Sequence, residues 1–387
     1  MARFITKDKL KILYDSLETL GIDFLYINDS EMSRNVNLKY LTGHPEDATI
    51  FFDVENRSST LIPWDYQLSM IYSEADRIIN IEEHGGLVPA TVDVFKESSS
   101  SNAKIGVTQS IQYSKVKSLM ESVPNCEIVF DPTSIDSLLD NLRATKSPNE
   151  ITQMEKSVKI SNQIVEEIKE VLSYKNHIKT EMDLAVFVES RMRELGAFGV
   201  GFETLVASKA RSWQIHTYPR AAPDQSMYQH GLALIDFGVK GIDLTSDVTL
   251  PFVMGDMNKK MKTIVETVQQ AHNEAIDAIS DSEYLHQVAK IAVNIIEDQG
   301  FHMPHSLGHG IGLTVHDSPM LRLKPTHESL LKTWTPTKIE EGMIVTIEPG
   351  IYEKDVGGFR LENDVLITKN GQPKVLTNSE PVYIDLP

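Results

Sequence analysis

Leu232-Ala233-Leu234-Ile235-Asp236-Phe237-Gly238 is followed by Ser246-Asp247-Val248-Thr249-Leu250, and these two stretches decide how the second half of the chain folds. An apolar run ends in a carboxylate, a turn through residues 239–243 follows, and a second carboxylate, eleven residues after the first, opens the next run. Alternate side chains of a strand share a face. A strand–turn–strand of this length therefore returns Asp247 beside Asp236. Either aspartate alone is unremarkable, because most are solvated or cap helices. The pair at one end of a hairpin points to a shared ligand.

Three further donors lie downstream. His309 sits in His305-Ser306-Leu307-Gly308-His309-Gly310-Ile311-Gly312, where glycines permit close backbone approach or positive φ. Glu348 interrupts the apolar run Met343-Ile344-Val345-Thr346-Ile347, and Glu362 follows fourteen residues later in Gly357-Gly358-Phe359-Arg360-Leu361-Glu362. A buried carboxylate must be paired, metal-bound or neutral. For Glu362 the competing reading is a pair with Arg360 on the same strand face. Four carboxylates and one imidazole suit Mn²⁺, Co²⁺, Zn²⁺ or Fe²⁺. They do not suit a closed structural zinc site, which uses cysteine and histidine. An odd count implies bridging ligands, hence two divalent metal ions that activate one water between them. His316, seven residues after His309, lies on Leu313-Thr314-Val315-His316-Asp317, which alternates like a strand. The odd separation turns the two rings apart in one regular strand, but the glycine turn permits a shared pocket. His305 is a second pocket candidate. Asp243 reads as a turn residue, and His230, His272, His286, His302 and His327 as surface or helix residues.

The 387 residues suffice for two domains of ordinary size. A net charge of −18 and a pI near 5.1 exclude the basic face that nucleic acid or an anionic membrane requires. The one cysteine, Cys126, cannot form an internal disulfide. It reads as a buried strand residue, and the composition fits a reducing, cytoplasmic setting. Lys7, Asp8, Lys9, Lys11, Asp15 and Glu18 break any secretory apolar segment, and no run approaches a membrane span.

Before residue 143 the pattern alternates helix and strand. Helices are predicted over 7–20, near 66–75 and near 113–122. Strands are predicted at 24–27, 48–52, 59–62, 104–107 and 126–130. Such alternation predicts an α/β fold with a mixed or parallel sheet. Ser147, Pro148 and Glu150 carry a helix-start signature, which places a boundary at 143/144. A long helix then runs to about 173, another opens at Thr180, and a strand follows at 202–207. After the strand at 232–236 the pattern repeats with helices over 258–279 and 281–298. One strand ends at Glu348 and one spans 359–367. Residues 150–210 and 230–310 each offer two long helices among strands, which predicts an internal duplication.

On these residues the chain resembles the pita-bread metallopeptidases, in the two-domain branch that holds prolidase, aminopeptidase P and creatinase. The resemblance implies a creatinase-type N-terminal domain over 1–143 and a pita-bread catalytic domain, with pseudo-twofold duplication, over 144–387. It implies that Asp236 holds one metal, that Asp247 and Glu362 bridge, and that His309 and Glu348 bind the second ion. Mn²⁺ is the first choice, with Co²⁺, Zn²⁺ and Fe²⁺ behind it. It places His216 and Arg360 on the substrate, His316 on the scissile group and Glu348 as proton shuttle. The implied activity is exopeptidase hydrolysis of Xaa-Pro bonds in proline-containing peptides by a bridging hydroxide, in a homodimer. Creatinase lacks the metal ligands, whereas all five are present here.

Two positions depart from the family. Leu250 stands where an arginine is usual, and the segment from His216 to Asp236 is about three residues longer than in typical prolidases. The stretch 317–341, with Arg322, Trp334 and Lys338, has no assigned place. These departures keep one alternative open, the same metals acting on a small non-peptide compound. A non-catalytic peptide-binding module is a further alternative, though such modules have usually lost metal ligands and none is lost here.

Overall fold

In this computed structural model, which describes residues 4–98, 102–123, 125–174 and 177–386, the chain divides into two compact units, Met1–Arg143 and Ala144–Pro387. The first is built on a six-stranded mixed sheet. Phe24–Asp29 lies near its middle, antiparallel to Ala48–Asp53 and parallel to Lys104–Val107. Helices over 7–19, 66–72 and 113–122 form where expected. Helices Val36–Thr42 and Leu87–Ser98 were not expected. The first spans only seven residues, too short for a helical period to stand out, and it depends on the Asn35 cap and on Gly43 in the left-handed region.

His44 follows that glycine and is fully buried. Burial pushes its imidazole down from 6.5 to about 4. The folded value lies below the unfolded one, so the fold favours the neutral ring. That contribution is complete above pH 6.5 and is lost as pH falls toward 4. Urea midpoints measured between pH 7.5 and 4.5 should fall more steeply for the parent than for His44→Gln. Parallel curves would refute this.

The second unit opens with two helices, α1 (Pro148–Tyr174) and α2 (Glu181–Glu194). Reciprocal Ser147–Glu150 bonds start the first, and a Thr180–Asp183 capping box starts the second. Their apolar faces, including Ile164, Ile168, Leu184 and Val188, pack on strands β1 (Leu205–Ala207), β2 (Gly231–Phe237) and β3 (Val248–Met254). The strand expected over 202–207 spans only Leu205–Ala207, and Phe202 and Glu203, ahead of it, line a pocket.

The second half repeats this plan. Helices α3 (Lys259–Ala278) and α4 (Leu285–Asp298) pack on a sheet containing β4 (Gly308–Gly310), β5 (Asp317–Leu321) and β6 (Ile344–Ile347). A hairpin of β7 (Gly350–Glu353) and β8 (Gly357–Arg360) precedes β9 (Asn363–Ile367), which pairs antiparallel with β6. The single strand expected over 359–367 is thus two strands in two sheets, with Leu361 and Glu362 at the switch between them. Residues 313–316, expected to alternate as a strand, form bends instead. Helix α4 starts later than expected because Tyr284 is extended and bridges Lys338. Trp334 packs edge-on against His286 at 5.2 Å, which ties the 317–341 stretch to the start of α4.

Candidate metal centre

Strands β2 and β3 pair antiparallel with Thr249 opposite Asp236, so Asp247 sits just beyond the paired end, close to Asp236. Leu250 is fully buried opposite Ile235 and belongs to the apolar core. It supports the hairpin by packing.

The glycines around His309 act through close approach. A Cβ on Gly308 would lie 2.0 Å from the Thr346 carbonyl oxygen, and one on Gly310 would lie 2.1 Å from that of Ser318. Only glycine lets β4 lie this tightly between its neighbours. The ring of His309 donates from Nδ1 to the Gly310 carbonyl at 3.0 Å, which leaves Nε2 as a free donor atom. Burial pushes this imidazole down to about 4, so the ring is neutral. Its Nε2 lies 3.7 Å from Asp247 Oδ2 and 3.5 Å from Glu348 Oε1.

Ligand atoms of Asp247, His309 and Glu362 all lie within 4.8 Å of one another. Glu348 shares the pocket wall with them, and so does Asp236, which accepts from Arg360 at 2.6 Å. The competing reading of Glu362, a pair with Arg360, is not what forms: Arg360 bonds Asp236 instead. Arg360 also donates to Thr249 Oγ1 and to the Tyr352 hydroxyl, both at 2.9 Å. Each of its three nitrogens thus makes one bond, and the one from Nη2 holds the Asp236 carboxylate in place.

A divalent cation fits this donor set. One oxygen each of Asp236, Asp247 and Glu362 is buried without a hydrogen-bond partner among the described residues. Such orphans are rare unless something absent satisfies them. Burial and the neighbouring Glu362 and Asp236 charges raise Asp247 well above the usual carboxylate range. Burial and Glu362 do the same to Glu348, and burial and Asp236 push Glu362 up to about 7. Mutual repulsion of this kind is what a cation relieves. Asp364, not singled out from sequence, is buried behind the site and accepts from the Asp247 backbone at 3.1 Å. A divalent ion should therefore stabilise the protein. At a hundredfold excess over its Kd it should raise the melting temperature by about 5 °C, and chelator should reverse the shift. No shift with Mn²⁺, Co²⁺ or Zn²⁺ would refute the centre.

A cavity of about 280 Å³ opens onto these residues and includes His216, His305, His316 and Arg220 in its wall. The rings of His309 and His316 meet edge-to-face at 4.3 Å, so the bends at 313–316 bring together what a regular strand would separate. His216 is held below its usual value by partial burial and by the charges of Arg220 and Arg360. His305 forms a further link: burial keeps it neutral, with a value of about 4, and its Nε2 accepts from Tyr352 at 2.8 Å. Asp236, Arg360, Tyr352 and His305 thus form one chain of hydrogen bonds. Tyr352 carried no sequence signal beyond its place after Glu348-Pro349-Gly350-Ile351.

Residues 152–369 match metallopeptidase family M24, and residues 9–145 match the Creatinase/Prolidase N-terminal domain. The chain is 31% identical to an Xaa-Pro dipeptidase of Pyrococcus horikoshii over 97% of its own length and 98% of the relative's. It superposes on the crystal structure of a Pyrococcus horikoshii prolidase with a TM-score of 0.79 at 28% identity, covering 97% and 99% of the two chains. An Xaa-Pro dipeptidase from Bacillus anthracis shares the fold with a TM-score of 0.82 at 24% identity, covering 98% and 99%.

Proposed function

This chain belongs to metallopeptidase family M24, and on that premise we propose that it is a metal-dependent peptidase that hydrolyses Xaa-Pro bonds in short peptides. One observation carries the reading: ligand atoms of His309, Asp247 and Glu362 converge within 4.8 Å at the cavity that His216 and His316 line. Asp236, Asp247, His309, Glu348 and Glu362 would hold two divalent ions, with Mn²⁺ the first choice. When bound, such ions lower the pKa of water and polarise the scissile carbonyl.

The remaining work falls to the chain. Glu348, partly exposed to the cavity, takes the proton from the attacking water and passes it to the departing proline nitrogen. His316, exposed in the cavity wall, donates to the carbonyl oxygen as it gains negative charge. His216 borders the substrate from another part of the wall. Arg360 keeps the Asp236 carboxylate oriented. We place the chain in a reducing, cytoplasmic setting, which its one free cysteine suits, and as a homodimer, as the family resemblance implies. No helix among the described residues is long and apolar enough to cross a membrane.

The test is a panel of Xaa-Pro and Xaa-Ala dipeptides offered to protein stripped with chelator and reloaded with Mn²⁺ or Co²⁺. Turnover confined to Xaa-Pro and to the reloaded sample is expected. A fully metallated, folded sample that is inert on the panel would overturn the proposal.

A further inference from the structure

Ser212 lies in the segment that carries His216 and is fully buried. Its hydroxyl donates to the Leu232 carbonyl at 2.8 Å and accepts from the Gly358 amide at 2.9 Å. Leu232 belongs to β2 and Gly358 to β8, so one oxygen joins three separate stretches of chain. The backbones around it leave no room for a side chain. A Cβ on Gly357 would lie 2.2 Å from the Leu232 carbonyl oxygen and 2.8 Å from Ser212 Oγ. One on Gly358 would lie 2.0 Å from the Ser212 carbonyl oxygen. Gly357 also takes a φ of +102°, which favours glycine. The Gly357-Gly358 pair is what lets β8 close onto Ser212.

Each arm of this junction leads to the cavity. Asp236 follows Leu232 along β2 and Arg360 follows Gly358 along β8, and their side chains meet at 2.6 Å. Ile215 and His216, shortly after Ser212, line the same cavity. Ser212 is itself no part of the cavity wall. A second tether joins the segment to the turn between β7 and β8. There the Lys354 ammonium lies 5.4 Å from the centre of the Trp213 ring, whose indole donates to the Ala210 carbonyl at 3.0 Å. That contact is nearer the solvent and holds less firmly than a buried hydroxyl with both bonds made.

We propose that Ser212 is a positioning residue: its hydroxyl fixes the His216 side of the cavity against the Asp236–Arg360 pair, and through them it governs the binding of both ion and substrate. The inference deepens the Xaa-Pro peptidase reading and rests on it for the kinetic half of its test.

Ser212→Ala removes both bonds and leaves a buried amide and a buried carbonyl unpaired, which frees the arms to drift. Mn²⁺ affinity, read by calorimetry on chelator-stripped protein, should weaken about 10-fold. KM for an Xaa-Pro dipeptide on Mn²⁺-loaded protein should rise about 10-fold. Ser212→Cys keeps the bulk and a weak donor, and should fall between parent and Ser212→Ala. Ile168→Val loosens the packing of α1 on the same sheet, and should move neither constant by more than about twofold. Either shift, absent from Ile168→Val, supports positioning over mere loss of stability. Should Ser212→Ala fail to fold, Ser212→Cys carries the same comparison. Unmoved Mn²⁺ affinity and KM would overturn the proposal, as would equal shifts in Ile168→Val. A parent that binds Mn²⁺ but is inert on Xaa-Pro would sink the peptidase reading, and the Mn²⁺ affinities would still judge Ser212. An active parent whose two constants survive Ser212→Ala would sink the positioning role alone. A parent that takes up no Mn²⁺ would overturn both.

Discussion

Replacing Glu362 by glutamine should lower kcat/KM on Xaa-Pro dipeptides by about 10³-fold or more while making the metal-free protein more stable. The carboxylate is 2% exposed, one of its oxygens has no hydrogen-bond partner among the described residues, and Asp236 and Asp247 face it. In its proposed role as a ligand it would lose most of its hold on an ion once made an amide, because a neutral amide oxygen binds a divalent cation more weakly than a carboxylate. Without the ion it is a liability, since burial and repulsion push it up to about 7. An amide removes one negative charge and offers N–H groups to the orphaned oxygens of Asp236 and Asp247. The gain should be about 1–3 kcal/mol above pH 7, the range measured when buried charges are replaced by neutral groups. The folded value lies above the ordinary 4.5, so the parent's metal-free stability falls as pH rises from 4.5 through 7. The gap between parent and variant should therefore open across that window and close below it. Urea denaturation in chelator at pH 5 and pH 8, with initial rates after metal addition, reads both effects. A variant that keeps its activity, or is less stable than the parent at pH 8, would show that Glu362 is not an ion ligand.

The second large effect lies away from the metals. Glu181 is fully buried and accepts from the Ser208 amide and Ser208 Oγ at 2.8 Å, from Arg211 at 2.6 Å and from the Ala222 amide at 3.0 Å. These four bonds pin both ends of the 208–222 segment, which carries His216 and Arg220 into the cavity. Glu181→Ala should cost about 3–5 kcal/mol, because it leaves the Arg211 charge largely buried without its partner. The same change should raise KM for dipeptides by at least tenfold, roughly what one misplaced charged contact removes. Glu181→Gln keeps an acceptor and should fall between. Urea unfolding and steady-state kinetics decide the matter. A loss under about 1 kcal/mol with unchanged KM would show that the segment holds itself.

The parts of this molecule that could be read in advance are those governed by local rules. The helix starts at Ser147 and Thr180 were legible because capping is a matter of three or four neighbouring residues. The Asp236–Asp247 hairpin was legible because strand alternation and turn length together fix where the second carboxylate returns. Glu348 stood out as a charge inside an apolar run. What escaped depends on contacts between distant segments. The Arg360 guanidinium looks equally able to meet Glu362 or Asp236 until the sheet switch at 361–362 turns it toward β2. The His305–Tyr352 bond joins residues far apart in the chain, and nothing in either neighbourhood announces it. Glu181 passes for an ordinary helix N-terminal acid, because its partners arrive from 208–222.

The proposed donors come from two separate sheets, Asp236 and Asp247 from the first and His309, Glu348 and Glu362 from around the second. With that set, neither half of the unit would have useful affinity for an ion alone, and the partly assembled chain would have no claim on one. Capture would then come last in assembly and work as a latch, since prying the two layers apart would also mean giving up the ions. Chelation should accordingly quicken unfolding more than it slows refolding, and the metal becomes the timekeeper of how long each molecule stays intact.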